Sequence, residues 1–310
     1  MLNKQTTVTN VNNKLTYRGR FAPSPSGHLH FGSLLAATAS YLQARKLNGE
    51  WWLRIEDIDP PREVKGASQQ IIQTLQDYGF NWDNLTYQSQ RLDIYQQYTD
   101  TLLNNEQAYY CGCSRKEIIQ TNKGSNHSAT FYPGTCRDGL QGKTVRSIRI
   151  KIGKPEVTID DAIQGLHTVN LNQCLGDFIV KRADGLFSYQ LAVAIDDSLQ
   201  NITQIVRGFD LHESSFLQKY VQQTLGLNQP TYAHIPIAVN NNGGKLSKQS
   251  AAKNIATEHP QTVLWHALSC LGQHPPEQLK SRNLAQLWEW SFKNWDMNKI
   301  QHIQAVSSPI

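Results

Sequence analysis

Residues 15–55 read LTYRGRFAPSPSGHLHFGSLLAATASYLQARKLNGEWWLRI, and this stretch decides the fold class. Residues 15–21 have strand character until Pro23, Pro25 and Gly27 interrupt it. From 31 to 47, Leu34, Leu35, Ala36, Ala37, Ala39, Leu42 and Ala44 leave little polar face, the composition of a buried helix. Asn48-Gly49 stops that helix, and 51–55 reads as a buried strand. Strand, turn, helix, strand is a βαβ unit with parallel strands, so the chain opens as an α/β domain.

Further helices are predicted near 69–77 and 92–105. Residues 108–142 then change character, with Cys111, Cys113 and Cys136, several Gly and few helix formers, and read as an insertion. Residues 143–157 alternate, with Ile148, Ile150 and Ile152 on one face and Arg149 and Lys151 on the other. Arg146, Arg149 and Lys151 thus form a basic stripe that could meet phosphates; a solvated strand face is the plainer account. The α/β pattern resumes near Asp177, with strands at 202–206 and 232–239. Between them, Asp210 and Glu213 form a cap signature for a helix ending at Gly226. After Lys248 only helical signals follow, at 261–271 and 283–292. The expected organisation is a flexible lead (1–14), a first half-domain (15–107), an inserted subdomain (108–176), a second half-domain (177–240) and a signature loop with helices (241–310).

The 310 residues allow about two domains. No apolar run approaches the roughly 18 residues that span a bilayer, and the polar N-terminus has no secretory h-region. Five Cys, an odd number, fit a reducing compartment better than a disulfide framework. The expectation is a cytoplasmic, monomeric protein with no membrane partner. The net charge of +5 permits a polyanionic partner without requiring one. Dinucleotide (GxGxxG) and P-loop (GxxxxGK[ST]) motifs are absent.

Two segments carry phosphate chemistry. Residues 20–33, RFAPSPSGHLHFGS, follow a strand and open a helix, whose unpaired N–H groups suit phosphate. His28 and His30 lie just before that helix and could stabilise charge developing on phosphate oxygens, and Gly32 admits a nucleotide close to the backbone. A second such segment, GGKLSKQ, lies far along the chain at 243–249. There, Lys245 and Lys248 sit on a Gly-flanked loop able to close over a triphosphate.

Together these strings resemble the two signatures of class I aminoacyl-tRNA synthetases. The HIGH tetrad falls on His30-Phe31-Gly32-Ser33 and the KMSKS loop on 245–249. The sequence departs from them at Ser33, Leu246 and Gln249 but keeps both Lys. With LRIEDID at 53–59, the chain looks most like the glutamate branch. The fold implied is a Rossmann-like class I catalytic domain with an inserted zinc-binding, acceptor-type subdomain and a short helical C-terminal part. The resemblance implies a glutamate pocket of Arg20, Phe21, Ala22, Pro23, Ser24, Glu56, Tyr189 and Arg207, with ATP at His30, Gly32 and Lys248. His28, His30, Lys245 and Lys248 would be catalytic. Bidentate cations for two carboxylates and an anion for one ammonium agree with glutamate. Which Arg meets the side-chain carboxylate stays open, with Arg20 preferred.

Three thiols within an insertion suggest Zn²⁺. The fourth ligand is His127 by ordinary chemistry; the resemblance points instead to Tyr132. Full glutamyl-tRNA synthetases continue into a helical anticodon-binding part, whereas this sequence runs only to Ile310. That truncation and the Cys-x-Cys insertion look like the glutamyl-Q tRNA(Asp) synthetase family. The resemblance implies glutamate activation with Mg·ATP, without tRNA, and transfer to the queuosine cyclopentenediol at the wobble position of tRNA(Asp). The alternatives are a minimal glutamyl-tRNA synthetase charging a 3′ end, a non-catalytic RNA-binding paralogue, and a pantothenate-type ligase, which the two-Arg pocket disfavours.

Overall fold

The computed structural model describes residues 16–123, 128–240, 244 and 254–309. The opening unit is β1 (Arg18–Phe21), α1 (Phe31–Lys46) and β2 (Glu50–Ile55), followed by α2 (Ala67–Asp77), β3 (Asn84–Tyr87) and α3 (Leu92–Asn104). β1, β2 and β3 form a parallel sheet, as the βαβ reading requires. α1 is buried on nearly every side because it packs under β1 and also meets α8 (Pro260–Cys270) and α9 (Leu284–Asn294). Asn48 at φ 52° ends it, with the Gly49 N–H closing on the Ala44 carbonyl at 2.9 Å.

The middle of the chain contributes β4 (Ala108–Cys111), α4 (Arg115–Thr121), β5 (Ser147–Ile150), β6 (Glu156–Asp161), β7 (Gly165–Asn170), α5 (Leu171–Cys174) and β8 (Ile179–Lys181). β4, β5 and β8 make an antiparallel sheet of their own. The β6–β7 hairpin instead extends a second sheet, ordered β7-β6-β10-β9, with β9 at Gln204–Gly208 and β10 at Thr231–Ile235. α6 (Tyr189–Leu199) and α7 (His212–Leu225) pack together. β1 lies beside β9, and the Thr203 N–H donates to the Arg18 carbonyl at 2.9 Å. Leaving β1 the chain runs to β2 on one side, while β9 and β10 lie on the other. That divergence is a topological switch point, which opens a crevice at the carboxyl ends of β1 and β9.

Four local expectations are corrected. The 143–157 segment is not one half-solvated strand. All four residues of β5 are buried, Arg149 included, and Arg149 is therefore no part of an exposed basic stripe. The Asp210/Glu213 capping box does not form: α7 starts after a 3-10 turn, Leu211 occupies the cap, and Asp210 faces the crevice. The 232–239 strand is split at Pro236, which has no N–H for a ladder, into β10 and β11 (Ile237–Val239). β11 pairs with β12 (Ala305–Ser307), so the C-terminal part is not purely helical. Among the described residues, no helix is long and apolar enough to cross a membrane.

Candidate active site and thiol centre

Parallel strands place their carboxyl ends on one edge, and the crevice there is a cavity of about 300 Å³. Arg20, Phe21, Ala22, Pro23 and Ser24 form one wall, His30 and Gly32 the start of α1, and Tyr189 and Arg207 the far side. Glu56 lines an adjoining cavity of about 390 Å³ that shares Ser24, Ser26 and Tyr189 with the first. Its N–H donates to the Pro23 carbonyl at 3.0 Å, which ties the end of β2 to the Pro-rich turn. His28 is exposed and lines neither cavity. His30 caps α1, its Nδ1 accepting the Ser33 N–H at 3.4 Å. A Cβ on Gly32 would lie 3.1 Å from the His30 ring, so this glycine makes room for the imidazole. Lys245, Lys248 and the rival ligand His127 lie outside the described residues.

A buried ionic network lies behind the cavity wall. The Arg20 Nε and Nη2 donate to the two Asp197 oxygens at 3.0 and 3.2 Å. Arg54 Nη2 donates to Asp197 Oδ1 at 2.8 Å and reaches Glu56 Oε1 at 3.4 Å; its Nη1 donates to Gln200. Neighbouring Asp196 accepts from Arg91, Gln88 and Tyr95. Burial opposes the charge on Asp197, but Arg20 and Arg54 outweigh it and hold the carboxyl down at about 2. Glu56 goes the other way: burial pushes it up to about 7, more than Arg54 and Arg20 draw it down. Burial also pushes the Tyr189 phenol up; Glu56 adds to the rise and Arg207 and Arg20 oppose it. Among the described residues Arg207 has no carboxylate partner. Its Nη2 donates to Ser215 at 2.7 Å and to Gln218 at 2.8 Å, while its Nη1 is buried with no hydrogen-bond partner among the described residues. A desolvated, unpaired donor beside a cavity is costly unless an anion completes it.

The second centre lies in the β4–β5–β8 sheet region. The sulfurs of Cys111, Cys113 and Cys136 lie within 4.8 Å of one another, all three residues buried. Cys113 and Cys136 are 3.6 Å apart, and the Tyr132 hydroxyl stands 3.2 Å from the Cys111 sulfur and 3.7 Å from that of Cys113. Tetrahedral Zn²⁺ with bonds of about 2.3 Å needs sulfurs about 3.8 Å apart, so three thiolates and this oxygen fit it. Arg149 Nε donates to the Cys111 sulfur at 3.4 Å, and its guanidinium lies 3.8 Å over the Tyr132 ring. Gly176 (φ +69°) lets the ligand loop lie flat: a Cβ there would be 2.0 Å from the Tyr132 carbonyl oxygen.

Residues 16–278 match the family model described as tRNA synthetases class I (E and Q), catalytic domain. The chain is 44% identical over 286 residues to the glutamyl-Q tRNA(Asp) synthetase of Pseudomonas aeruginosa strain PAO1, an alignment covering 92% of this chain and 95% of that one. It is 46% identical to the Chromobacterium violaceum protein of the same name, with the same coverage.

The chain belongs to the glutamyl-Q tRNA(Asp) synthetase family.

A solved glutamate tRNA ligase from Elizabethkingia meningosepticum, in complex with its amino acid, superposes with a TM-score of 0.78 at 26% identity. The alignment covers 94% of this chain and 67% of that one. In this family member the crevice brings together Arg20, Tyr189 and Arg207, with Glu56 across a shared wall. The sequence reading missed Arg54 and Asp197. Their signal was charge at interior positions, in the strand WWLRI and after the apolar run LAVAI.

Proposed function

We propose that this family member activates L-glutamate with Mg·ATP, without tRNA, and transfers it to the queuosine cyclopentenediol at the wobble position of tRNA(Asp). The observation that carries this reading is the charge pattern of the crevice: two guanidinium groups and a carboxylate at one sheet edge, in a chain of this family. Glu56 would hold the substrate ammonium, and Arg20 and Arg207 its two carboxylates, with Tyr189 and residues 21–24 shaping the pocket. The α-carboxylate oxygen attacks the α-phosphorus in line; a new O–P bond forms as the bond to pyrophosphate breaks. His28, His30 and Gly32 are assigned to the nucleotide. Lys245 and Lys248 are assigned, on sequence alone, to the leaving pyrophosphate. A tRNA hydroxyl then attacks the mixed anhydride and releases AMP. Within the chain, segment 108–176 is proposed as the inserted subdomain between half-domains 15–107 and 177–240, with 1–14 as a lead and 241–310 as the signature loop and helices.

The test is ATP–pyrophosphate exchange dependent on glutamate in the absence of tRNA, followed by transfer to tRNA(Asp) with and without queuosine. Exchange with transfer only to the modified tRNA, protecting the diol from periodate, is the expected result. Charging of a 3′ end would favour the minimal glutamyl-tRNA synthetase, and absence of exchange with every amino acid would remove the enzyme reading.

Cys111, Cys113, Cys136 and Tyr132 are proposed to hold one structural Zn²⁺, which pins a loop-rich segment with only a small core of its own. Metal analysis is expected to give about one zinc per chain in the wild type and a large loss in Cys113→Ser. Glutamate-dependent exchange should change little in that variant, because the crevice has its own core. A wild type free of zinc after metal-replete expression would refute the assignment.

A further inference from the structure

Behind Arg207 lies a chain of buried polar groups that the proposed chemistry does not use. Arg207 and His234 are direct partners across the β9–β10 pair. Arg207 Nε donates to His234 Nε2 at 3.3 Å, and Ser215 Oγ lies 2.9 Å from the same nitrogen. On its other side, His234 Nδ1 is 2.5 Å from Asp161 Oδ2. Asp161 also accepts the backbone N–H groups of Ile163, Gln164 and His234 at 2.9–3.2 Å. His234 and Ser215 are 0% exposed, Asp161 3% and Arg207 5%.

The hydrogen-bond inventory assigns the imidazole protons. A carboxylate that collects this many donors stays ionised, and despite burial, His234 and the backbone amides hold Asp161 down at about 2. The nitrogen facing it, Nδ1, must carry a proton. Burial, with Arg207 and His212 adding to it and Asp161 opposing, depresses His234 to about 4, so the ring is neutral and Nε2 is bare. A bare Nε2 is what the Arg207 Nε–H needs; the opposite tautomer would set two N–H groups against each other.

Ser, His and Asp in a row also occur as nucleophilic triads. That role fails here, because Ser215 is fully buried and its oxygen accepts from Arg207 Nη2.

We infer that His234 is a positioning residue for glutamate recognition: fixed by Asp161 as the Nδ1–H tautomer, it locks the Nε edge of Arg207 and so holds that guanidinium at the crevice wall. The inference rests on the proposed function, since it takes Arg207 as a carboxylate-binding arm. Neutral acceptors (His234, Ser215, Gln218) hold the guanidinium in place while leaving its charge for the ligand. This contrasts with Arg20, whose charge Asp197 already shares.

The test uses the full chain and two readouts. Selective ¹⁵N-histidine NMR, with His234 assigned by loss of its signals in His234→Gln, reads the tautomer directly. Asp161→Asn keeps the shape but presents an amide N–H₂ to Nδ1, which should transfer the ring proton to Nε2. That variant is expected to raise the KM for glutamate about tenfold or more, with the KM for ATP little changed. His234→Gln, whose carboxamide oxygen reaches the Nε2 position, should retain more glutamate affinity than His234→Leu. An Nε2–H tautomer in the wild type would overturn the inference, as would an Asp161→Asn protein that switches tautomer yet keeps its glutamate KM. If Asp161→Asn fails to fold, Ser215→Ala serves, with a smaller rise in glutamate KM expected and an unchanged value overturning the inference. If the wild type shows no glutamate-dependent exchange, it is the functional reading that fails, whereas a wild type that exchanges but carries the Nε2–H tautomer fails the inference alone.

Discussion

Asp197→Ala is expected to destabilise the protein by about 3–5 kcal/mol, the usual cost of removing one partner from a buried ionic group. Asp197 is the shared acceptor of two guanidinium groups, and its loss would leave Arg20 and Arg54 charged, desolvated and short of an anion. Arg54 is fully buried, and its Nε has no hydrogen-bond partner among the described residues. For a chain of this size the loss corresponds to roughly 5–10 °C in Tm. Asp197→Asn, which keeps the shape and one acceptor oxygen, should lose less. The acid limb tests the same residue without mutation. Its carboxyl lies at about 2 in the fold against an ordinary 3.8. Its stabilisation is therefore complete above about pH 4 and is lost as pH falls through about 2. A Tm for Asp197→Ala within about 1 °C of the wild type would show that the three side chains are not mutually dependent.

Asp197 also marks the limit of what could be read without coordinates. The βαβ opening, the placement of Arg20 and Glu56 at one sheet edge, and the thiol-bearing insertion all follow from local pattern, because strand–turn–helix punctuation and metal-ligand residue types are short-range signals. The supporting residues are not. Asp161, Asp197 and His234 acquire meaning only through partners far along the chain, and no periodicity encodes those pairings. Arg149 shows the same limit from the other side. Its alternation with Ile148 and Ile150 is that of a solvated strand face, yet the neighbouring thiols and Tyr132 supply it with a buried partner surface. The β11–β12 pair failed to register for a simpler reason: each strand has only three residues, too few for a period of two to show.

Glu56 should set the pH dependence of glutamate use. Burial raises its carboxyl to about 7 in the free protein, so near neutrality a large fraction carries a proton. Only the carboxylate attracts the substrate ammonium. The kcat/KM for glutamate in the exchange reaction should therefore fall about tenfold per pH unit below 7 and level off above it, since this ratio reports ionisations of the free enzyme. Glutamate itself has no group titrating between about pH 5 and 8. Glu56→Gln has nearly the shape of the protonated residue and cannot ionise. It should lower kcat/KM for glutamate about 10²–10³-fold at pH 8, as expected for removing one partner of a buried charge pair. It should also flatten the acid limb, because the group that produced it is gone. A variant that lost activity yet kept the wild-type slope between pH 5.5 and 7 would place the titrating group elsewhere, and the ammonium would need another anion.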